Sequence, residues 1–299
     1  MIIDAHGHIY EFLAGYGSKG EFRPLGKGKG IWATGEVEQF FPEKYGDLGF
    51  HAEPLLGLMD EGGIDHVVLL QGGNYGFHNE YVAETARKWP DRFTAVGTLD
   101  PYAFFRDDIL NHLLGDLGLK SLKFELSRTW GLTGYHPDLR LDGEVFRPIL
   151  ERADDEGLTI VIDMGPMGSP SFDPDALFPV RDRYPNATFV MTHCFFPKKD
   201  GNNPMRLDYM KRLVSDNFHF DIANLTSMGN TVADIRAFLT DAKAAIGAEH
   251  MIWGTDVPGV LRTYTYRDLV AIVADSGIFT QDELNLVMAE NAKRVYRIP

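Results

Sequence analysis

The sequence predicts an α/β fold, a (β/α)8 barrel built as one domain over 1–299, and three observations predict it. Eight short apolar runs recur along the 299 residues. Segments with helical spacing lie between them. The first run ends in His-Gly-His rather than in the glycine-rich phosphate turn that an open doubly wound sheet carries after its first strand.

The runs are 1–9 (MIIDAHGHI), 66–71, 93–100, 121–127, 159–165, 188–194, 219–225 and 251–257. Several are rich in β-branched and aromatic residues, and most end in polar or glycine-containing turns. Their near-continuous apolar character suits strands buried on both faces, as in a parallel sheet. Between them, 77–89 puts Tyr81, Val82, Thr85 and Trp89 near one face, and 144–156 gathers Val145, Ile149, Leu150 and Ala153. Segments 233–247 and 281–296 read the same way, and Pro90, Gly157 and Pro185 supply stops. Residues 11–50 depart from the alternation. They contain GYGSKG and PLGKGKG, and forty residues between strand and helix is long for a compact domain. This segment is expected to be a long loop after strand 1, either a flexible solvated surface or a lid closing on an anionic substrate.

Composition narrows the function. Hydrophobic residues make up 44% and charged residues 24%, which is ordinary globular usage. The net charge is −14, so a phosphate backbone or an anionic membrane is repelled, and neither nucleic acid nor membrane is an expected partner. No apolar run reaches the ~18 residues of a membrane helix, and the N-terminus lacks the pattern of a signal peptide. Cys194 is the only cysteine, so no internal disulfide forms, which fits a cytoplasmic location.

The chemistry-bearing residues sit at strand ends. His6 and His8 are two apart on the first run, so an extended strand points both to the same side, at the mouth of the barrel. Two imidazoles so placed form a clamp for a divalent ion, or else two histidines satisfied by hydrogen bonds. Asp256, in WGTDVP, falls where the last strand ends; a buried carboxylate there needs a cation or strong donors, unless it is a turn aspartate before Pro258. His193 closes the sixth run and would project into the same mouth or pack in the core. Cys194 follows it and, on an extended strand, faces the other way as packing. Asp163 ends the fifth run, and Lys123 lies in the fourth as a substrate anchor or a partner of Asp163 or Glu125. Arg128 and Arg262 fall in loops after the fourth and eighth runs; their forked guanidinium groups match a substrate carboxylate or brace the loops. Tyr10, His51, His78, His136 and Asn224 also fall in loops and read as structural.

With these residues in place, the chain resembles the amidohydrolase superfamily, and within it the amidohydrolase-related family 2. That family includes aminocarboxymuconate-semialdehyde decarboxylase, resorcylate-type decarboxylases and several lactonases. The resemblance spans DAHGH, GIDHVVLLQ, RYPNATFVMTHC, WGTDVP and the closing ENAKRVY. It implies that His6 and His8 bind one divalent ion, zinc before manganese. It implies that Asp256 contacts the ion and exchanges protons with its water, and that His193 polarises the substrate or assists proton transfer. Relatives place a histidine ligand at the end of strand 5, where this chain has Asp163. That carboxylate either completes a set of two His and two Asp or marks a metal-free site that uses the same side chains directly. The expected reaction is hydrolysis of a lactone, ester or amide in a small, carboxylated molecule. Non-oxidative decarboxylation of an aromatic or enol acid is the alternative. Barrels of this kind often pair, so a homo-oligomer is an expected partnership that no residue here demonstrates.

Overall fold

A computed structural model describes all residues, Met1–Pro299. Each of the eight apolar runs overlaps a strand: β1 (Ile3–Gly7), β6 (His66–Leu69), β7 (Phe93–Ala95), β8 (Ser121–Glu125), β9 (Thr159–Asp163), β10 (Thr188–Met191), β11 (Phe218–Asp221) and β12 (Met251–Ile252). Helices return the chain between them: α1 (Ala52–Gly62), α2 (Asn79–Lys88), α3 (Arg106–Asn111), α4 (Arg147–Glu156), α5 (Leu177–Arg183), α6 (Asn203–Leu213), α7 (Val232–Ile246) and α8 (Tyr266–Ala274). The pattern over 281–296 splits into α9 (Gln281–Asn285), one wider turn and α10 (Asn291–Tyr296). Threonine caps start three of the helices: Thr231, Thr265 and Thr280 each accept from the backbone of an acidic residue three positions on, which bonds back.

All pairings among the eight strands are parallel, in the orders β1-β6-β7 and β8-β9-β10-β11-β12. Backbone bonds join the two arcs into a closed ring. Lys123 N–H donates to the Gly97 carbonyl at 2.8 Å, Ala5 N–H to Trp253 at 3.1 Å, and Asp256 N–H to His6 at 2.7 Å. Alternation then sorts the side chains into two cores. Ile3, Ala5, Val68, Val96, Val161, Val190 and Ile252 fill the barrel, and Ala292, Val295 and Tyr296 of α10 pack against them. Their neighbours in sequence, such as Ile160, Ile162, Phe189 and Met191, belong to the larger core with the helices. Burying each such side chain contributes about 1.5–3 kcal/mol before the entropy of ordering is set against it.

The expected loop at 11–50 is instead largely a small antiparallel sheet, β2 (Gly15–Gly17), β3 (Gly20–Gly26), β4 (Lys29–Trp32) and β5 (Val37–Gln39), in that order. The lysine- and glycine-rich stretch that suggested flexibility is a hairpin turn, with Gly26 at φ 92° and Gly28 at φ 68°, values that glycine adopts without strain. Phe22, Trp32 and Phe41 are buried in or beside this sheet. No helix is long and apolar enough to cross a membrane.

Candidate active site

The site lies where the barrel strands end, in a cavity of about 450 Å³ that suits a small molecule. His6, His8, Lys123, Arg128, Asp163, His193, Asp256 and Arg262, all anticipated from sequence, line this one cavity. Simple alternation does not deliver the two histidines. The β1–β6 register shifts between Asp4 and Gly7, so the strand that buries Ile3 and Ala5 in the barrel also brings His6 to the mouth.

Hydrogen bonds set the proton positions. His6 Nδ1–H donates to Asp221 Oδ2 at 2.7 Å, which leaves the Nε2 lone pair buried and without a partner. His8 Nδ1–H donates to the Leu70 carbonyl at 2.9 Å, with the Tyr75 hydroxyl against the same nitrogen. The His8 Nε2 lone pair then faces Asp256 Oδ1 at 2.8 Å, and His6 Nε2 lies 3.8 Å from the same oxygen. Burial lowers the pKa of both histidines, so both are neutral near pH 7. For Asp256, burial works against ionisation, but the imidazoles of His8 and His6 beside it hold its carboxyl below the usual range. Three acceptors therefore converge with no proton assigned between them, and a cation satisfies all three. His6, His8 and Asp256 thus fit a divalent ion.

His193 is placed differently. Its Nδ1–H donates to the Ala223 carbonyl at 3.0 Å and its Nε2 meets Asp163 Oδ2 at 3.2 Å. Burial disfavours the charged ring, yet the hydrogen bond and charge of Asp163, with Asp221 behind, raise its pKa to about 9. Both His193 nitrogens thus already meet protein acceptors, the Ala223 carbonyl and Asp163. Asp163 correspondingly sits well below its usual range despite burial, because His193 and Lys123 favour its charge. The expected set of two His and two Asp around one ion therefore does not gather: Asp163 turns to His193 and accepts from Gly165 N–H at 2.8 Å. The other acidic grouping, His6 with His193 and Asp221, is already consumed by hydrogen bonds. Asp221 Oδ1 accepts from the His193 backbone at 2.7 Å while Oδ2 holds His6.

Several side chains of the mouth stand on strained backbone. His193, Cys194, Phe195 and Phe196 all have positive φ, between 46° and 61°, as do Asn224 at 55° and Asp256 at 72°. The strand is thus not extended at Cys194, and the alternation expected there fails. The thiol is nevertheless buried; burial raises its pKa, and it donates to the Asp221 carbonyl at 3.3 Å as a packing group.

Two of the anticipated anchors are braced by the protein. Arg262 Nε–H donates to the Gly259 carbonyl and Nη1 to the Gln39 carbonyl at 2.8 Å, tying the loop after β12 to β5. Arg128 donates to the Thr133 carbonyl at 3.2 Å. Lys123 is buried, with its ammonium 3.7 Å from Glu125. Burial and the nearby Asp163 push Glu125 up to about 7, while Lys123 pulls the other way.

Sequence reasoning missed four contributors. Asp221 carried a signal, since it is a carboxylate within the seventh apolar run, and it ends β11. Asn224 was read as structural, yet its amide donates to Asp256 Oδ2. Asp4 accepts from His6 N, Thr255 N, Thr255 Oγ1 and Tyr266 Oη, so one buried carboxylate ties β1 to the loop after β12 and to α8. Tyr75 comes from a loop with no distinguishing pattern.

Comparison with known proteins gives this geometry its context. A family model described as amidohydrolase matches residues 3–298. No curated protein is matched by sequence. Among solved structures, an amidohydrolase from Burkholderia multivorans with bound HEPES is 14% identical, with a TM-score of 0.74 over 100% of both chains. A probable 2-pyrone-4,6-dicarboxylic acid hydrolase from Acinetobacter baumannii with citric acid bound is 16% identical, with a TM-score of 0.72 over 99% of both chains. A 2,6-dihydroxybenzoate decarboxylase from Rhizobium is 18% identical, with a TM-score of 0.61, over 82% of this chain and 88% of that one. At such identities the likeness to these structures concerns the fold, whereas the family match rests on sequence along nearly the whole length: the chain belongs to the amidohydrolase-2 family of barrel enzymes.

Proposed function

We propose that this enzyme hydrolyses a cyclic ester, a lactone of a small carboxylated acid, with one divalent ion held by His6, His8 and Asp256. The observation that carries this reading is the convergence of three acceptors beside a protonated donor. His6 Nε2, His8 Nε2 and Asp256 Oδ1 face one another, and the His193 imidazolium lies against His6 with ring centroids 4.7 Å apart. A bound ion, zinc or manganese, supplies Lewis acidity and lowers the pKa of a water toward 7. The residues supply the rest. Asp256, kept ionised and oriented by Asn224, accepts the proton of the attacking water and returns it to the departing alkoxide. His193, kept charged by Asp163, donates to the oxygen on which negative charge develops. Lys123, Arg128 and Arg262 line the cavity and attract the carboxylate, with the two arginines oriented by backbone carbonyls.

The name of the Acinetobacter relative, a hydrolase of a cyclic ester bearing carboxyl groups, supports this reading. The second reading is decarboxylation, favoured by the Rhizobium decarboxylase and by a protonated His193 able to deliver a proton to carbon. The chain is taken as one catalytic unit, with 11–50 as the roof of its cavity, in a reducing cytoplasm that suits a lone buried thiol. Product analysis separates the reactions: acid released from lactones against carbon dioxide released from hydroxybenzoates and muconate semialdehydes. Asp256→Asn should lower lactone turnover by about 10²–10⁴-fold with the fold retained. Near-normal turnover in that variant, or carbon dioxide as the only product, would overturn the proposal.

A further inference from the structure

Four consecutive residues of the loop after β10, His193, Cys194, Phe195 and Phe196, take left-handed backbone, with φ of 57°, 46°, 61° and 53°, and none is glycine. A β-carbon opposes that conformation, so such a run persists only where its surroundings over-determine it. The run has a use. The Phe196 N–H donates to the His193 carbonyl at 2.8 Å, closing a turn of about three residues, in which side chains three apart lie on one side. His193 and Phe196 both reach the cavity this way, with ring centroids 4.5 Å apart. On extended backbone, residues three apart face opposite sides, and the two could not share the cavity.

Asp221 pins the first end of the run, accepting from His193 N–H at 2.7 Å. Arg206 of α6 holds the other end. Its Nε–H donates to the Phe195 carbonyl at 3.1 Å, and its two Nη atoms each meet one oxygen of Asp200 at 2.8 Å, with Asn203 Oδ1 at 3.0 Å from Nη1. The guanidinium has no exposed surface, an expensive position for a charge, and the forked pair with Asp200 fixes its plane as well as its place. Asp200 belongs to the same loop, so the clamp ties the loop to the helix that follows it. We infer that Arg206, clamped by Asp200, is a positioning residue: it keeps the left-handed turn closed and thereby holds His193 against Asp163 and in the cavity. The inference rests on the reading of His193 as the donor to the developing negative charge. Arg206 makes no hydrogen bond to His6, His8 or Asp256, so loosening it spares the three groups that fit an ion.

Two variants test it. Arg206→Lys leaves one ammonium, which cannot serve the Phe195 carbonyl and both Asp200 oxygens in the forked geometry. Asp200→Asn loosens the same clamp from a side chain 21% exposed, and so disturbs the core least. The zinc-loaded enzyme is assayed with whichever of δ-valerolactone, γ-butyrolactone and their carboxylated derivatives it opens fastest. Each variant should lower kcat about 10–100-fold, with KM changed less than about threefold and bound metal per chain as in wild type. In a His193→Ala background the same changes should lower kcat less than about twofold further, because the group they position is gone. A role in stability alone predicts wild-type kcat in the folded protein, or losses that multiply with that of His193→Ala. Either result, or a loss of bound metal in step with kcat, overturns the inference and leaves the hydrolase reading standing. If no lactone is opened, the hydrolase reading fails, and crystals of Asp200→Asn decide the inference. His193 Nε2 withdrawn from its 3.2 Å contact with Asp163 supports the positioning role; that contact retained overturns it.

Discussion

Asp221 is the most informative residue to change, because it touches no ion and yet decides which nitrogen of His6 is free to bind one. Its Oδ2 takes the proton of His6 Nδ1 at 2.7 Å, and its Oδ1 accepts from His193 N at 2.7 Å and Ala223 N at 3.2 Å. The pair is wholly buried, so no water replaces a lost partner. Asp221→Asn keeps the shape and removes one acceptor. If the new amide nitrogen faces the backbone, donors oppose donors. If it faces His6, the ring must shift its proton to Nε2, the atom that would bind the ion. Losing such a supporting carboxylate costs about 10–100-fold in metal affinity, about 1.4–2.8 kcal/mol. Competition with chelators of graded strength, read as bound metal per chain, measures it. Asp163→Asn is the control, since Asp163 sits on His193, and it should leave affinity close to wild type while lowering the His193 pKa. A folded Asp221→Asn variant with wild-type affinity would refute the tautomer argument.

Other outcomes follow from the same contacts. A methyl group on Gly254 would lie 2.7 Å from His6 Cβ and 3.0 Å from its backbone nitrogen, so Gly254→Ala should displace His6 and reduce bound metal more than it reduces thermal stability. Asp4→Ala strands four buried donors and should cost at least about 3 kcal/mol in urea unfolding. His219 is buried against His250 inside the barrel, and burial lowers its pKa to about 3. The unfolded chain takes up that proton near pH 6.5 and the folded one does not, so this contribution is complete above pH 6.5 and falls away as pH drops toward 3. Stability should decline by about 1–2 kcal/mol between pH 6.5 and 5, and His219→Leu should remove that part of the decline.

The barrel was legible because its strands are buried on both faces and read as apolar runs that no other element imitates. The small sheet over 15–39 was not, since its strands are short and its turn glycines and lysines have the composition of a loop. His6, His8 and Asp256 were legible because imidazoles and a carboxylate at the ends of apolar strands have few other uses. Asp163 was ambiguous for a physical reason: from the end of β9 its carboxylate can meet an ion or meet His193, and only the side-chain direction decides. Asn224 matters through a hydrogen bond to Asp256, a relation between distant segments that strand periodicity does not encode.

The central claim is most directly tested by diffraction from crystals grown with zinc, with anomalous data at the metal edge. The account predicts one ion per chain, about 2.0–2.2 Å from His6 Nε2, His8 Nε2 and an oxygen of Asp256, with Asp163 still on His193. An ion held by Asp163 or His193 instead, or none between the two strand-1 histidines, would contradict it.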